Sequence, residues 1–302
     1  EWWHAYAYVL MGGTCWSITI TLRQALVANT VPPSSLVNAI ATNILTITGT
    51  RILGPFVGGV LIATLGFTWA FFLEAFFYVG TVLALAPMGT PYYQSVNLPR
   101  TTSPMADMRE GLQYICREKR VVLHLIVLGL IPNVLLHPVW FLLPVFTVNV
   151  LHNDADVGGY LLAATGIGGL VASLTIASVG FVFNRGLVCL ISMVLSSICV
   201  ILFAQAHWLP AAMVLIGLMA VAQTTFRTAT GTLIQQVVPD HLRGRVTSLE
   251  QYSQGFLILS SLLIGWIVDL TSVVITIMAV GGIGLALAAS STATFHRVRQ
   301  LA

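Results

Sequence analysis

Charge is what this sequence has least of. Only 8% of its 302 residues are Asp, Glu, Lys or Arg, against roughly 25% in an ordinary soluble domain. A soluble chain of this length would have too few ionised groups to cover its surface. That excludes a soluble enzyme, a nucleic-acid-binding module and a disordered chain. Cysteine is scarce too, with four in the chain. Cys15, Cys189 and Cys199 lie in apolar runs, Cys116 lies in a basic linker, and no C-x-x-C pair occurs. A disulfide scaffold is thereby excluded, and no zinc site is indicated. The chemistry-bearing motifs H-E-x-x-H, G-x-S-x-G and paired Asp are missing as well. The chain is therefore expected not to be an enzyme and to need no cofactor or metal. A channel should carry rings of like charge or repeated filter residues, and the sequence has neither. A channel, a non-transporting membrane scaffold and an intramembrane enzyme are thereby the weaker readings.

What is abundant is apolar sequence. Hydrophobic residues make up 57% of the chain, and the mean hydropathy is +0.91. A spanning helix needs about 20 mostly apolar residues. Nine stretches meet that need: 2–22, 36–64, 67–88, 121–151, 157–183, 187–208, 209–238, 246–268 and 270–295. Five of them hold no Asp, Glu, Lys or Arg, and the other four hold one each: Arg51, Glu74, Arg227 and Glu250. The expected fold class is an all-α polytopic membrane protein.

The loops set its orientation. Eleven of the thirteen basic residues fall in the linkers 23–35, 89–120, 184–186, 239–245 and 296–302. The linkers on the opposite side carry Asp154, Asp156 and Asp269 and no Lys or Arg. The positive-inside rule puts the basic side in the cytoplasm, with the carboxyl terminus there and the amino terminus outside. The central linker, 89–120, is expected to contain a short amphipathic helix on the membrane surface. Ser103-Pro104 supplies its start, and Met105, Met108, Leu112, Ile115 and Cys116 fall on one face.

An internal repeat gives the organisation. Leu26 to Pro32 matches Leu233 to Pro239 at an offset of 207, and Val57-Gly58 falls on Ile264-Gly265. Helix 36–64 then corresponds to 246–268, and helix 2–22 to 209–238. Two halves in the same orientation form a parallel pseudo-repeat, a transporter pattern. The division is a partial first half over 1–88, the linker over 89–120, and a six-helix second half over 121–302. By this register three further helices are expected before residue 1, giving nine of twelve.

At these residues a family becomes visible. Arg51-Ile52-Leu53-Gly54-Pro55-Phe56-Val57-Gly58-Gly59 resembles the fifth-helix signature of exporters of the major facilitator superfamily. Val238-Pro239-Asp240-His241-Leu242-Arg243-Gly244-Arg245-Val246 resembles the loop before their eleventh helix, and the turn from Arg23 to Pro32 their fourth-to-fifth loop. Gly180 to Gly186, including Arg185, is similar to a loop motif between helices eight and nine, with Asn184 where that motif has Asp. Together these motifs resemble the branch of siderophore exporters and macrolide-efflux proteins. The resemblance implies a proton-coupled exporter of small organic molecules. It implies alternating access in a bacterial inner membrane, and a monomer whose partners are substrate, protons and the lipid bilayer, not nucleic acid.

The candidate site residues follow from depth, spacing and this resemblance. Family helices that line the central cavity correspond to 2–22, 121–151 and 209–238 here. Trp16, Asn133, His137, Trp140, Gln223 and Arg227 are then the candidate substrate contacts. Asn133, His137 and Trp140 share a helix face by their spacings of four and three, and Arg227 follows Gln223 by one turn. Pro132, Pro138 and Pro144 should disrupt the first of these helices and free carbonyls that need other partners. Arg51 lies near mid-membrane, where an arginine costs about 2.5–3.5 kcal/mol on insertion. It must face protein or a water-filled cavity. Pro55 is expected to bend its helix, and Gly54 and Gly58 form a small-xxx-small face for close packing, with Gly59 beside them. Ala164/Gly168/Ala172 and Gly169/Ser173/Ala177 suggest a second close interface, for which the other half is a candidate partner. Asp240, Arg243, Gly244 and Arg245 form a basic cytoplasmic turn suited to lipid headgroups, to acidic loop residues or simply to fixing topology.

Overall fold

The computed structural model describes residues 35–89, 120–179, 184–238 and 259–294, with isolated positions before residue 35 and at 256–257. Trp16, most of helix 2–22, the amphipathic linker helix, and Asp240, Arg243, Gly244 and Arg245 lie outside the described residues. So does the side chain of Arg51, although its backbone is helical. Two compact units emerge, one of Glu1–Arg51 with Phe72–Pro99 and one of Ile52–Phe71 with Arg100–Ala302.

Every element among the described residues is helical. Helix α1 runs Leu36–Leu85. Helix α2, Arg120–Ile131, continues through a π turn, Pro132–Leu136, and a 3-10 turn, His137–Leu142, into α3, Leu143–Asn149. Then come α4, Gly158–Val179, α5, Arg185–Ala204, and α6, Leu209–Val237. An apolar helix α7, Leu259–Leu270, and α8, Val273–Thr294, complete the order. Six helical segments among the described residues are long and apolar enough to cross a membrane: Leu53–Leu85, Val122–Asn149, Ala155–Val179, Arg185–Ala204, Leu209–Ile234 and Val273–Thr292.

Helix α1 is too long to be one span. Its 50 residues would reach roughly 75 Å at 1.5 Å each, more than twice the hydrocarbon thickness. It is interrupted at Gly66, whose φ of 83° and ψ of 170° lie outside the helical region. That region is open to glycine and essentially closed to residues with a Cβ. The interruption falls between the two stretches 36–64 and 67–88. Pro55 sits inside α1 with helical dihedrals around it, and the departure from helical dihedrals is at Gly66. Proline already has a helical φ, and inside a helix it removes one hydrogen-bond donor. Gly66→Ala should destabilise the fold by about 1–3 kcal/mol, seen as a lower melting temperature of the purified protein. An unchanged melting curve would mean that residue 66 does not hold this conformation.

The three prolines of the α2–α3 segment act where they stand. Pro144 has no N–H for the Trp140 carbonyl, and the Leu143 N–H donates to that carbonyl instead, closing a 3-10 turn. The His137 N–H donates to the Pro132 carbonyl, five residues back, which widens the turn before it. The disrupted helix is thus a π turn followed by a 3-10 turn.

In the second unit α6 packs against both α4 and α5, and α5 packs against α8. Two apolar clusters result. One gathers Leu136, Phe146, Phe203, Ile216, Met219 and Ile277, with the Phe146 and Phe203 rings stacked at 4.2 Å. The other gathers Leu125, Leu128, Leu190, Met193, Phe226 and Leu233. The outer faces of this unit are apolar as well, with Leu174 60% exposed and Ile191, Val214 and Ile275 similarly exposed. Such surfaces suit hydrocarbon and would be untenable in water.

The glycines decide how closely helices approach. A Cβ on Gly59 would fall on the Gly159 carbonyl oxygen and lie 3.0 Å from the Ala163 Cα. A Cβ on Gly166 would lie 2.9 Å from the Phe56 Cα. The close face of 52–65 is therefore Phe56, Gly59 and Ala63 against Gly159, Ala163 and Gly166 of α4. Gly54 and Gly58, read from the sequence as a close-packing face, have no described atom within 4 Å of an added Cβ. On α4 the Ala164/Gly168 face meets α6: a Cβ on Gly168 would strike the Gly217 carbonyl oxygen and lie 3.1 Å from the Ala220 Cβ. That face serves packing inside the second half.

Candidate functional site

A polar layer separates the two apolar clusters. On α6, Gln223 falls between Met219 of one cluster and Phe226 of the other. On the facing segment, Asn133 falls between Ile131 and Leu136. Here Asn133, His137, Gln223 and Arg227 line one cavity with Thr230, Pro132 and Gly129, and its volume is about 40 Å³. Four of the six candidate substrate contacts thus come together. Trp140 does not line the cavity but packs its ring on His137, with centroids 4.8 Å apart and planes at 55°. Trp16 lies outside the described residues.

Local structure explains the convergence. The π turn spaces Asn133 and His137 so that both reach the cavity from a segment whose backbone ladder is already broken. Helix α6 is regular through this depth, so Gln223, Arg227 and Thr230, at spacings of four and three, share its cavity face. Sequence reasoning missed Thr230, although the same spacing extended by one step would have found it. Its hydroxyl lies 3.4 Å from the Cys189 thiol of α5, which ties the cavity wall to the next helix.

Gln223 is the unusual member. It is 5% exposed, yet among the described residues neither its Oε1 nor its Nε2 has a hydrogen-bond partner. Burying an unsatisfied amide costs about 1–3 kcal/mol, so a stable core would not choose it. The Trp140 indole N–H is likewise buried with no partner. Arg227, in contrast, is exposed beside the cavity. A space of 40 Å³ admits water or one polar group, since a water needs roughly 10–15 Å³ by this measure. It is far below the roughly 300–1,000 Å³ of a whole small-molecule site. Chemically, the pocket offers amide donors and acceptors, an imidazole and a guanidinium to one hydrogen-bonding end of a ligand.

Arg185 opens α5 and is half-buried, away from this cavity. Among the described residues no group of three His, Cys, Asp or Glu stands close enough to hold a metal ion.

The family described as transmembrane secretion effector matches residues 2–301. The staphyloferrin A transporter of Staphylococcus aureus is 24% identical over 280 residues, covering 91% of this chain and 68% of that protein. The enterobactin exporter EntS of Shigella flexneri is 25% identical over 244 residues, and that of Citrobacter koseri 27% over 255 residues. Each of those two matches covers 81% of this chain and 57% of the relative, so the chain spans little more than half of either exporter's length. With the motifs, the apolar spans and a match over nearly its whole length, the chain belongs to the transmembrane secretion effector family of the major facilitator superfamily, the multi-pass membrane transporters.

Proposed function

We propose that this protein is a secondary active exporter of small organic molecules, of drug or siderophore type. It works by alternating access in exchange for protons, in a bacterial inner membrane. The observation that carries the reading is the buried carboxamide of Gln223, without a partner among the described residues and lining a cavity shared with Asn133, His137 and Arg227. Unsatisfied buried groups are costly in a merely structural core, and a polar group that enters the cavity can satisfy them. The similarity to a staphyloferrin A transporter and to enterobactin exporters supports the siderophore-type substrate. Two halves, over 1–88 and 121–302, rock about this polar layer, and 89–120 joins them. Arg51, near mid-membrane beside Gly54-Pro55, is paired or caged there, and the basic turn at Arg243-Gly244-Arg245 contacts the cytoplasmic side.

Flux in vesicles tests the proposal. Protein reconstituted in vesicles should accumulate substrate against its gradient when the opposing proton gradient is imposed, and should show counterflow. A scaffold gives neither, and a channel gives flux without accumulation. Topology is checked separately. Cysteines placed at Asp154 and Gln300 should label from opposite sides of intact cells. Labelling of both by an impermeant reagent added outside would overturn the orientation.

A further inference from the structure

The polar cavity holds one side chain that can change its charge. Of the described residues that line it, two are ionisable, His137 and Arg227, and none is Asp, Glu, Lys, Cys or Tyr. A guanidinium keeps its proton at any working pH. An imidazole is the side chain whose ordinary titration falls near neutral pH. Asn133, Gln223 and Thr230 add hydrogen-bonding groups to the wall and no charge.

Few other ionisable groups stand around His137. Arg227 is the one such residue of α6. Helix α8 carries none over Val273–Thr294, and α3 none over Leu143–Asn149. Helix α5 has Arg185 away from the cavity, the Cys189 thiol against Thr230, and the Cys199 thiol in the apolar cluster with Leu136. On the segment of His137 itself, α2 contributes His124 and Arg120. The Trp140 ring packs on the imidazole with centroids 4.8 Å apart, inside the roughly 6 Å reach of a cation–π contact. An indole that attracts a cation and a guanidinium that repels one thus act on the same ring.

The chemistry of imidazole then links proton to ligand. The neutral ring has one nitrogen that accepts a hydrogen bond, and the protonated ring has two donors and no acceptor. A substrate hydroxyl or N–H that donates to the accepting nitrogen is displaced by a proton, because both use the same lone pair. Two ligands that compete for one atom are exchanged and are not carried together.

We infer, on the exporter reading above, that His137 is the coupling residue at which proton and substrate compete. Substrate binds from the cytoplasm to the neutral imidazole. Its hydroxyl or N–H donates to the ring nitrogen, and an adjacent acceptor takes the Gln223 amide N–H. Once the cavity opens outward, a proton from water takes the lone pair, the hydrogen bond is lost and the substrate leaves. The protonated cavity returns and gives its proton to cytoplasmic water. One proton enters for each substrate exported, and no bond of the substrate is made or broken. The group selected pairs a donor with an acceptor, as a hydroxyl, an amide or a hydroxamate does. A carboxylate has no donor for the ring nitrogen.

The test uses the protein in vesicles with the membrane potential clamped at zero. Two uncharged probes are followed: chloramphenicol for the drug type, and metal-free ferrichrome, a hydroxamate, for the siderophore type. With the interior more acid by about one pH unit, exchange for one proton supports about tenfold accumulation, equivalent to 1.4 kcal/mol. That steady-state ratio is set by coupling and not by rate. His137→Gln retains an acceptor but takes no proton near neutral pH, so the ratio should fall to that of protein-free vesicles. Counterflow, which needs no proton, should be slower and still measurable. Glu74→Gln and Glu250→Gln, at the two carboxylates within the apolar runs, should keep the ratio. A folded His137→Gln protein that still reaches it overturns the assignment. A loss of the ratio in either glutamate variant in place of His137→Gln overturns it equally. If His137→Gln does not fold or moves neither probe, the unaltered protein decides. Its probe affinity should weaken with acid, approaching about tenfold per pH unit for one competing proton, and a flat profile overturns the assignment. Neither accumulation nor counterflow of either probe by the unaltered protein overturns the exporter reading itself.

Discussion

Replacing Gln223 with leucine should make the protein more stable and abolish its transport. The two side chains are similar in size, so the apolar packing against Met219 and Phe226 is kept. What is removed is a carboxamide that is 5% exposed and has neither polar atom partnered among the described residues. Relieving one such group is worth about 1–3 kcal/mol, which should appear as a higher melting temperature in detergent. Transport should fall by more than tenfold per folded molecule, because the leucine offers the ligand no hydrogen bond. A gain in stability at a loss of function is the signature expected of a binding group. The opposite result, a destabilised protein that transports normally, would make Gln223 a structural residue and remove the main support for the site.

Gly59→Ala should be among the most damaging single-methyl additions to the chain. The added carbon would meet the Gly159 carbonyl oxygen and lie 3.0 Å from the Ala163 Cα. Those are backbone atoms, so no rotamer change can make room, and the two segments must separate along their contact. Overpacking of this kind costs about 1–3 kcal/mol and sometimes more, and Gly59→Val should exceed it. Gly54→Ala is the matched control, since its Cβ meets no described atom within 4 Å. Melting temperatures of the three variants settle the point. If Gly59→Ala melts like the parent, the close approach to α4 is wrong. If Gly54→Ala proves as costly, the face chosen on that helix is wrong.

The helices were legible because a bilayer imposes a length. Twenty apolar residues between polar linkers admit few readings, and the interruption near residue 65 fell where the apolar runs divided. The polar layer was legible for a related reason. A polar side chain in an apolar span is expensive, so Asn133, His137, Gln223 and Arg227 stood out, and the helical period said which could share a face. Thr230 did not stand out, because a hydroxyl can satisfy itself on the backbone of its own helix and raises no alarm in an apolar run. The helix contact was legible only as a choice between two. Gly54-x-x-x-Gly58 and Gly59-x-x-x-Ala63 are both small-xxx-small patterns, and they differ by a rotation about the helix axis that the sequence does not specify. Gly59 is selected by its partner, the Gly159-x-x-x-Ala163 pair on α4, which lies a hundred residues away.

The turn pattern between α2 and α3 has a mechanical meaning. A 3-10 turn rises about 2.0 Å per residue and an α-helix 1.5 Å. Rewinding the six residues His137–Leu142 from one to the other would shorten the segment by about 3 Å. Neighbouring α5 and α6 are regular helices with full ladders and have no comparable slack. With its proline at 138 and another just beyond it at 144, this segment has few ladder bonds to break on rewinding. His137 and Trp140 ride on it, so such a stroke would draw the imidazole along the cavity wall past Gln223 and carry the packed indole with it.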